Sequence, residues 1–275
     1  MSVYLDDYRT GLYIVLNIQP KVQHFRMGSK KKSKSVIAVC IQEPKEDGSI
    51  MDFGPIEGDN LRFLHQAFIT DTIINASAVD NADIRLYYIN QPDRKRLVKI
   101  VTEYLTKRSE GKKGEQFKSR FKTVELEKQR WGIRIHQIFH DCFEDGYEHV
   151  LLIGSRTPTI RANMFDTALK MLTKSDAVFG PTPDGRYYII GMSGSYRTNL
   201  SDFDWKSPAI YSEVADSFTE KSLAWSELEI WYCVENTDEI EMMIRDINQF
   251  RYEGDEQTAR ETEKVLERIL ARLEP

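Results

Sequence analysis

The residues best suited to chemistry lie in two turns that follow short apolar runs. The first turn, Gly154–Pro158 (GSRTP), comes directly after Val150–Ile153, and the second, Pro181–Tyr187 (PTPDGRY), follows Ala177–Gly180. In an open α/β sheet, ligands bind in the crevice at the carboxyl ends of the strands. The arginines, acid, glycines and tyrosine of these turns therefore predict a shared ligand crevice. Two ordinary tight turns with suitable turn residues are the alternative interpretation.

Two further motifs have weaker support. The segment Gly28–Ser35 differs from a phosphate-binding loop by Ser33, which stands where the second glycine should be, and it leads into an apolar run instead of a helix. We interpret it as a solvated basic loop. His136 and His140 have helical spacing, but Gln137 stands where a metalloprotease needs a glutamate as general base. We therefore expect ordinary surface or half-buried histidines there.

Composition limits the classes of partner. The chain has 275 residues, 41% of them apolar, and a net charge of −5, which argues against dedicated binding to nucleic acid or to an anionic membrane. The three cysteines are widely spaced and are expected to be reduced. No apolar run has the length of a membrane span, and no signal peptide is recognised. We expect a cytoplasmic protein without a membrane span.

The elements that must position the two turns alternate between strand and helix. Apolar periodicity predicts strands at 11–18, 36–41, 84–89, 150–153, 177–180 and 187–190, an aromatic and β-branched segment at 225–234, and helices at about 60–78, 92–108, 132–145, 161–174, 238–249 and 256–273. This alternation predicts one three-layer α/β/α domain over residues 1–275, with a mixed, mostly parallel sheet.

Three regions stand apart within this predicted domain. Residues 1–34 supply an extra N-terminal strand and the basic loop, and residues 107–122 predict a mobile basic insertion. The C-terminal segment 250–275 contains an amphipathic helix. Its apolar stripe fits packing on its own domain, and it also fits contact with a second copy of the chain or with another protein.

The order of three segments resembles that of the GT-A-like nucleotide-diphospho-sugar transferases. The segments read IGSRTP, DAVFGP and DGRYYIIG. They are most similar to a small uncharacterised (arsenosugar-type) glycosyltransferase subfamily, which has Gly-Ser-Asp-x-Pro, Asp-Ala-Val-x-Gly-Pro and Asp-Gly-Gly-Tyr-Tyr-Leu-Ile-Gly there. Weaker similarity, including Trp131–Ile135 and Asp204–Pro208, extends the resemblance to about residues 35–244. It implies a GT-A-like fold and a nucleotide or nucleotide-sugar ligand, with an acceptor that the resemblance does not identify.

The charged positions depart from the family pattern. Arg156 replaces the acid that would hold a divalent cation, and Glu235 is the one acid left of a family Asp-Val-Asp segment. Arg186 replaces the second glycine of a Gly-Gly pair, and Glu43–Gly58 is acidic where the family has a basic phosphate loop. Asp184 and Glu235 are the remaining candidates for holding Mg²⁺ or Mn²⁺, so the resemblance leaves the cofactor open.

The resemblance implies a glycosyltransferase-like protein that acts on or binds a nucleotide-sugar. Asp184 and Glu235 would be its catalytic acids, and Arg156 with Arg186 would clamp the diphosphate without a metal. The alternative for Arg156 is an ion pair with a surface acid such as Asp184 or Glu235. The implied nucleotide- and substrate-binding residues are Gly154, Ser155, Arg156, Thr157, Pro181, Gly185, Arg186 and Tyr187. One alternative is a catalytically inactive GT-A-like module that serves binding or assembly. A further alternative is a nucleotidyltransferase, which would release pyrophosphate.

Overall fold

Short segments rich in β-branched residues form the centre of the fold. The computed structural model describes residues 33–41, 45–46, 49–100, 102, 119–194 and 199–273, and all structural statements below concern these residues. The strand predicted at 11–18, the loop at 28–32 and residues 107–118 of the predicted insertion lie outside them. From Ser33 onward the chain forms one compact unit.

Seven strands pair into one sheet. They are β1 (Ser35–Cys40), β4 (Ala82–Tyr88), β5 (Phe121–Glu125), β6 (His149–Gly154), β7 (Ala177–Pro181), β8 (Tyr187–Ser193) and β9 (Trp225–Glu227). Two shorter strands, β2 (Lys45–Glu46) and β3 (Ser49–Ile50), pair separately with each other.

The order of the large sheet places its switch point between β1 and β6. The order is β5-β4-β1-β6-β8-β7-β9, and only the pairings of β8 are antiparallel. From β1 the chain proceeds outward to β4 and β5, and then returns to β6 on the opposite side of β1. Cys40 and Gly154 lie side by side where these two parallel strands end. A crevice at such a reversal of strand order is the expected ligand site of an open α/β sheet.

Helices cover both faces of the sheet. Successive residues of β1 alternate between two apolar clusters, with Ile37 and Val39 in one and Val36 and Ala38 in the other. The first cluster packs on α1 (Gly58–Ser77), α2 (Gln91–Lys99) and α4 (Ala162–Leu172), and the second on α3 (Trp131–Glu144) and α5 (Ile210–Glu220). This arrangement confirms the predicted three-layer α/β/α domain with a mixed, mostly parallel sheet.

The last two helices pack against α1 in a third apolar cluster. These helices are α6 (Thr237–Tyr252) and α7 (Arg260–Leu273), and their buried residues include Met243 and Leu266. The apolar stripe of α7 thus packs on its own domain, against Leu64 and Phe68 of α1. Contact of α7 with a second copy remains a prediction.

Three local predictions need correction. Phe121 and Lys122, assigned to the basic insertion, begin the edge strand β5, which pairs with β4. Only Trp225–Glu227 of the apolar segment 225–234 is a strand, because the chain beyond it pairs with neighbours through isolated hydrogen bonds such as Leu228 N–H to the Phe179 carbonyl. The helix α5 was not predicted. The other elements predicted within the described residues are present, with ends that differ by a few residues, and α2 is described as far as Lys99.

Among the described residues, no helix combines the length and the apolar character that crossing a bilayer requires. The structure describes all three cysteines and shows no disulfide among them: Cys40 and Cys142 are buried, and Cys233 is half-buried.

Candidate functional site

A cleft of about 840 Å³ opens at the carboxyl end of β6, beside the first residues of β8. The turn between β7 and β8 forms one side, and the segment that leads into α6 forms another. Among the residues predicted from sequence to form the site, those that line this cleft are Gly154, Asp184, Arg186, Tyr187 and Glu235. The structure therefore brings together residues from β6, the β7–β8 turn and the start of α6.

The other predicted site residues do not line the cleft. Arg156 is 1% exposed, and Ser155 and Thr157 are fully buried. Ser155 Oγ lies 3.3 Å from His65 Nε2, and Pro181 is buried with its carbonyl accepting the Trp231 N–H. These residues lie beneath the floor of the cleft, because the first turn descends into the core directly after Gly154.

Gly185 also has a structural role. Its φ of +79° lies in the left-handed region, and a Cβ atom at this position would come within 2.1 Å of the Pro208 carbonyl oxygen. Its own carbonyl accepts a hydrogen bond from the Tyr211 N–H. Gly185 therefore fastens the β7–β8 turn to the start of α5, and its Cα faces protein backbone instead of a ligand.

Two arginines and two acids form a connected ion network on one side of the cleft. Arg156 Nη1 donates to Glu235 Oε1 at 2.7 Å, and Arg186 Nη2 donates to Glu235 Oε2 at 2.8 Å. Arg186 Nε also donates to Asp184 Oδ2 at 2.6 Å. The Arg156 side chain is 1% exposed, whereas that of Arg186 is 34% exposed. Arg156 is therefore a buried charge, and Arg186 carries the guanidinium that a ligand in the cleft can reach.

The network keeps both acids ionised. Burial by itself would raise the pKa of Glu235, but the charges of Arg156 and Arg186 outweigh it and hold this pKa below its ordinary value. Burial opposes ionisation of Asp184 as well, and hydrogen bonds from Thr182 and Arg186 hold its pKa below the ordinary range. A general base acts best with a pKa near the working pH. Both acids are therefore better suited to holding the arginines than to taking up a proton.

The residues at this site do not fit a divalent cation. Such an ion takes several oxygen ligands, chiefly carboxylates. Arg156 stands beside Glu235 where the family has a metal-binding acid, and both Glu235 oxygens already accept hydrogen bonds from arginines. In the part of the chain that the structure describes, no group of three His, Cys, Asp or Glu residues has an arrangement that could hold a metal.

Glu239 differs from the other two acids. It belongs to α6 and lines the cleft, and its carboxylate accepts the Glu235 N–H at 2.6 Å and the Asn236 N–H at 3.0 Å. Burial raises its pKa, and the charges of Glu235 and Asp184 act in the same direction. The nearby Cys233 thiol has its pKa raised by burial to about 12, so it stays protonated. The pKa of Glu239 is therefore shifted in the direction opposite to the pKa values of Glu235 and Asp184, which favours the protonated form.

The cleft also has aromatic and basic lining residues that were not among the site residues predicted from the sequence. They are Trp131, Arg134, Trp205 and Lys206. Arg134 lies over the Trp131 ring, with its guanidinium carbon 4.9 Å from the ring centroid. These residues belong to Trp131–Ile135 and Asp204–Pro208, whose resemblance to family segments was the one available signal. Asp52, Asn236, Asp238 and Glu239 were missed as well, and they line the acidic rim.

Comparisons with known proteins agree with the fold. Residues 89–207 match the model of a family described as an uncharacterized protein conserved in bacteria (DUF2064). A protein from Desulfovibrio desulfuricans G20, provisionally named a nucleotide-diphospho-sugar transferase, has a solved structure that matches 86% of this chain and 98% of its own, with 21% identity and a TM-score of 0.62. A search of curated proteins found no match.

Two further solved structures match with lower TM-scores. A cytidylyltransferase from Leptospira borgpetersenii serovar Hardjo-bovis matches 82% of this chain and 97% of its own, with 8% identity and a TM-score of 0.46. A 4-diphosphocytidyl-2C-methyl-D-erythritol synthase from Anaerococcus prevotii DSM 20548 matches 78% and 96%, with 13% identity and a TM-score of 0.48. The Desulfovibrio structure alone of these three is similar enough to support an assignment. Together with the strand order, it shows that this chain has the GT-A-like fold of the nucleotide-diphospho-sugar transferases.

Proposed function

We propose that the cleft binds a nucleotide or nucleotide-sugar by its diphosphate, and that Arg186 makes the direct contact without a divalent cation. The observation that carries the proposal is the Arg156–Glu235–Arg186 network. Arginine binds phosphate oxygens in a bidentate manner, and its charge does not depend on pH. Two fixed guanidinium groups would then supply the positive charge that a bound cation supplies in metal-dependent relatives.

Arg186 is positioned to exchange partners. Its guanidinium is one-third exposed, and its partner Asp184 has a side chain that is 47% exposed. An incoming diphosphate would replace Asp184 at Arg186, and the released carboxylate would face water, where its charge is well solvated. Arg156 is buried and hydrogen-bonded to Glu235, so it would contribute to diphosphate binding through its positive charge and not through direct contact. We propose that Asp184 and Glu235 position the arginines, which departs from the catalytic role expected from the resemblance.

A glycosyl transfer in this cleft would need a group that stabilises the leaving nucleoside diphosphate and a group that accepts a proton from the acceptor hydroxyl. The bond between the sugar carbon and the diphosphate breaks, so negative charge develops on the leaving nucleoside diphosphate, and Arg186 would stabilise it. The acceptor hydroxyl forms the new bond to the same carbon and must release its proton. Glu239 would receive that proton, because its pKa is raised and it lines the cleft.

A catalytically inactive binding module is the second candidate, and the closed charge balance favours it. The positive charges of Arg156 and Arg186 are matched by the negative charges of Glu235 and Asp184. The other charged lining residues are three acids, Asp52, Asp238 and Glu239, and two cations, Arg134 and Lys206, so the acids outnumber the cations. A site built for a dianion would ordinarily keep a positive excess.

Isothermal titration calorimetry tests the binding proposal directly. The protein is titrated in EDTA with UDP-glucose, GDP-mannose, CDP-glucose and the corresponding nucleoside diphosphates. Loss of a charge-assisted contact predicts that Arg186→Ala weakens the best ligand by about 10- to 100-fold. The matched control is Arg62→Ala, since Arg62 forms an exposed pair with Asp59 on α1. If no nucleotide binds to the wild-type protein, or if Arg186→Ala binds as tightly as the control, the diphosphate proposal is wrong.

A further inference from the structure

A second cleft of about 580 Å³ adjoins the first one. Trp131, Trp205 and Lys206 line both clefts, so the two cavities meet at these side chains. The second cleft also contains Arg130 and Phe203. No residue predicted from sequence to belong to the site lies in this second cleft. It therefore offers a binding surface next to the proposed nucleotide site.

The aromatic rings at the junction are fixed in orientation. Trp205 Nε1 donates to the Leu200 carbonyl at 2.7 Å. A Cβ atom on Gly132 would lie 2.5 Å from the Trp205 ring, so the ring packs directly against the α3 backbone. The Trp205 ring centroid lies 5.8 Å from that of Tyr187 and 6.4 Å from that of Phe203. These rings make a rigid row that leads from the first cleft into the second.

The cations of the second cleft are available to a ligand. Arg130 and Lys206 are exposed, and neither side chain has a carboxylate within ion-pair distance among the residues that the structure describes. The acids of this cleft are engaged in their own turns: Asp202 Oδ1 accepts from the Asn199 amide at 2.9 Å, and Asp204 Oδ1 accepts from the Lys206 N–H at 3.1 Å. The contrast is with Arg186, whose guanidinium is already paired twice.

We infer that the second cleft is an acceptor subsite for a sugar that carries an anionic group such as a phosphate. A pyranose ring has a flat apolar face of C–H groups that stacks on an indole, and fixed aromatic rings give such contacts at little entropic cost. Arg130 and Lys206 would bind the anionic substituent by charge-assisted hydrogen bonds. The polar groups of Ser201, Asp202 and Asp204 remain within reach of ring hydroxyls. The role of acceptor rests on the proposed function, whereas the sugar-binding site does not depend on it.

The experiment compares three probes on the wild-type protein by calorimetry: glucose 6-phosphate, glucose and inorganic phosphate. The inference requires that glucose 6-phosphate bind at least about tenfold more tightly than either of the others, because ring and charge must both contribute. Saturation-transfer NMR should show the strongest transfer to the ring C–H protons. Binding of inorganic phosphate as tight as that of the sugar phosphate would overturn the inference, and so would equal binding of glucose.

Variants assign the probe to this cleft. Arg130 lines the second cleft and does not line the first, so Arg130→Ala should weaken glucose 6-phosphate by about tenfold. Trp205→Phe keeps an aromatic ring against Gly132. It should therefore weaken the binding of glucose 6-phosphate by less than Arg130→Ala does. The control is again Arg62→Ala, and equal affinity of Arg130→Ala and this control would contradict the assignment.

The two proposals fail separately. If nucleotide-sugars bind and glucose 6-phosphate does not, the acceptor subsite is wrong and the diphosphate site stands. If glucose 6-phosphate binds in an Arg130-dependent manner and no nucleotide binds, the sugar site stands and the proposed function is wrong.

Discussion

At the scale of single residues, the direction of Arg156 decides what the site can do. Its position in the first turn suggested a ligand contact, because the turn follows a central strand. The side chain is instead buried and paired with Glu235, which lies 79 residues later in the chain. An ion pair of Arg156 with an acid such as Asp184 or Glu235 was the alternative to a ligand contact, and the structure shows the pair with Glu235. No local pattern chooses between the two interpretations, because the direction of the side chain depends on the geometry of the turn. Asp184, Arg186 and Tyr187 could be predicted as cleft residues, because they lie in the turn that follows the apolar run Ala177–Gly180.

The Arg156–Glu235 pair predicts a specific stability defect. Glu235→Gln removes the carboxylate that lies 2.7 Å from the buried Arg156 guanidinium, and breaking a buried pair in this way costs about 3–5 kcal/mol. Urea unfolding at pH 7 measures the loss. Glu148→Gln is the control, because Glu148 pairs with Lys34 at the surface, where water screens the charges and the pair contributes little to stability. Equal, small losses in the two variants would show that the Arg156 charge is not held by Glu235.

At the scale of elements, periodicity predicts the buried strands well and the edges poorly. The strands β1 and β6 are continuous apolar runs, because both of their faces are covered by helices. The edge strand β5 reads FKTVE and has no continuous apolar run, so its first two residues, Phe121 and Lys122, were assigned to the preceding basic segment. The helix α5 was missed because its small and polar residues hide the few buried positions, such as Val214 and Phe218.

The contact between α1 and α7 shows how a single carboxylate joins two elements. Asp71 of α1 is fully buried, and its oxygens accept the N–H groups of Glu261 and Thr262 in the first turn of α7. An acid at a helix N-terminus is favourable for the helix, because the exposed N–H groups carry partial positive charge. Burial nevertheless raises the Asp71 pKa to about 7.

This raised pKa predicts a pH-dependent difference between wild type and Asp71→Asn. An acid whose folded pKa exceeds its unfolded value stabilises the fold while it is protonated, and that contribution is lost as the pH rises from about 4 through about 7. The free energy of unfolding of Asp71→Asn should therefore improve relative to wild type between pH 5 and pH 8, as followed by urea unfolding. Asp59→Asn is the control on the same helix, since Asp59 is largely exposed. The same pH trend in both variants, or a trend of opposite sign, would contradict the account.

At the scale of the whole molecule, the ligand cleft lies where this fold predicts it, but its charged residues differ from those expected of a metal-binding site. The reversal of strand order between β1 and β6 puts Gly154 at the floor of the cleft, as in any open α/β sheet of this type. The acidic rim, the internal ion network and the aromatic and basic lining residues then divide the cleft into regions of different chemistry. The alternation of strands and helices allowed the sheet to be predicted from the sequence. The division of the cleft into these regions could not be predicted, because its lining residues come from separate segments between residues 52 and 242.

The central claim is that fixed arginine charge replaces a divalent cation. The most direct test measures the affinity of the best nucleotide ligand from the calorimetric panel in EDTA and again in excess Mn²⁺. The account predicts equal affinities within error, and a concentration-dependent increase in melting temperature in EDTA alone, since a ligand at 100 times its Kd stabilises by about 2.7 kcal/mol. Binding that appears only with Mn²⁺, or that strengthens by about tenfold or more with it, would show that the cleft holds a metal after all and would contradict the account.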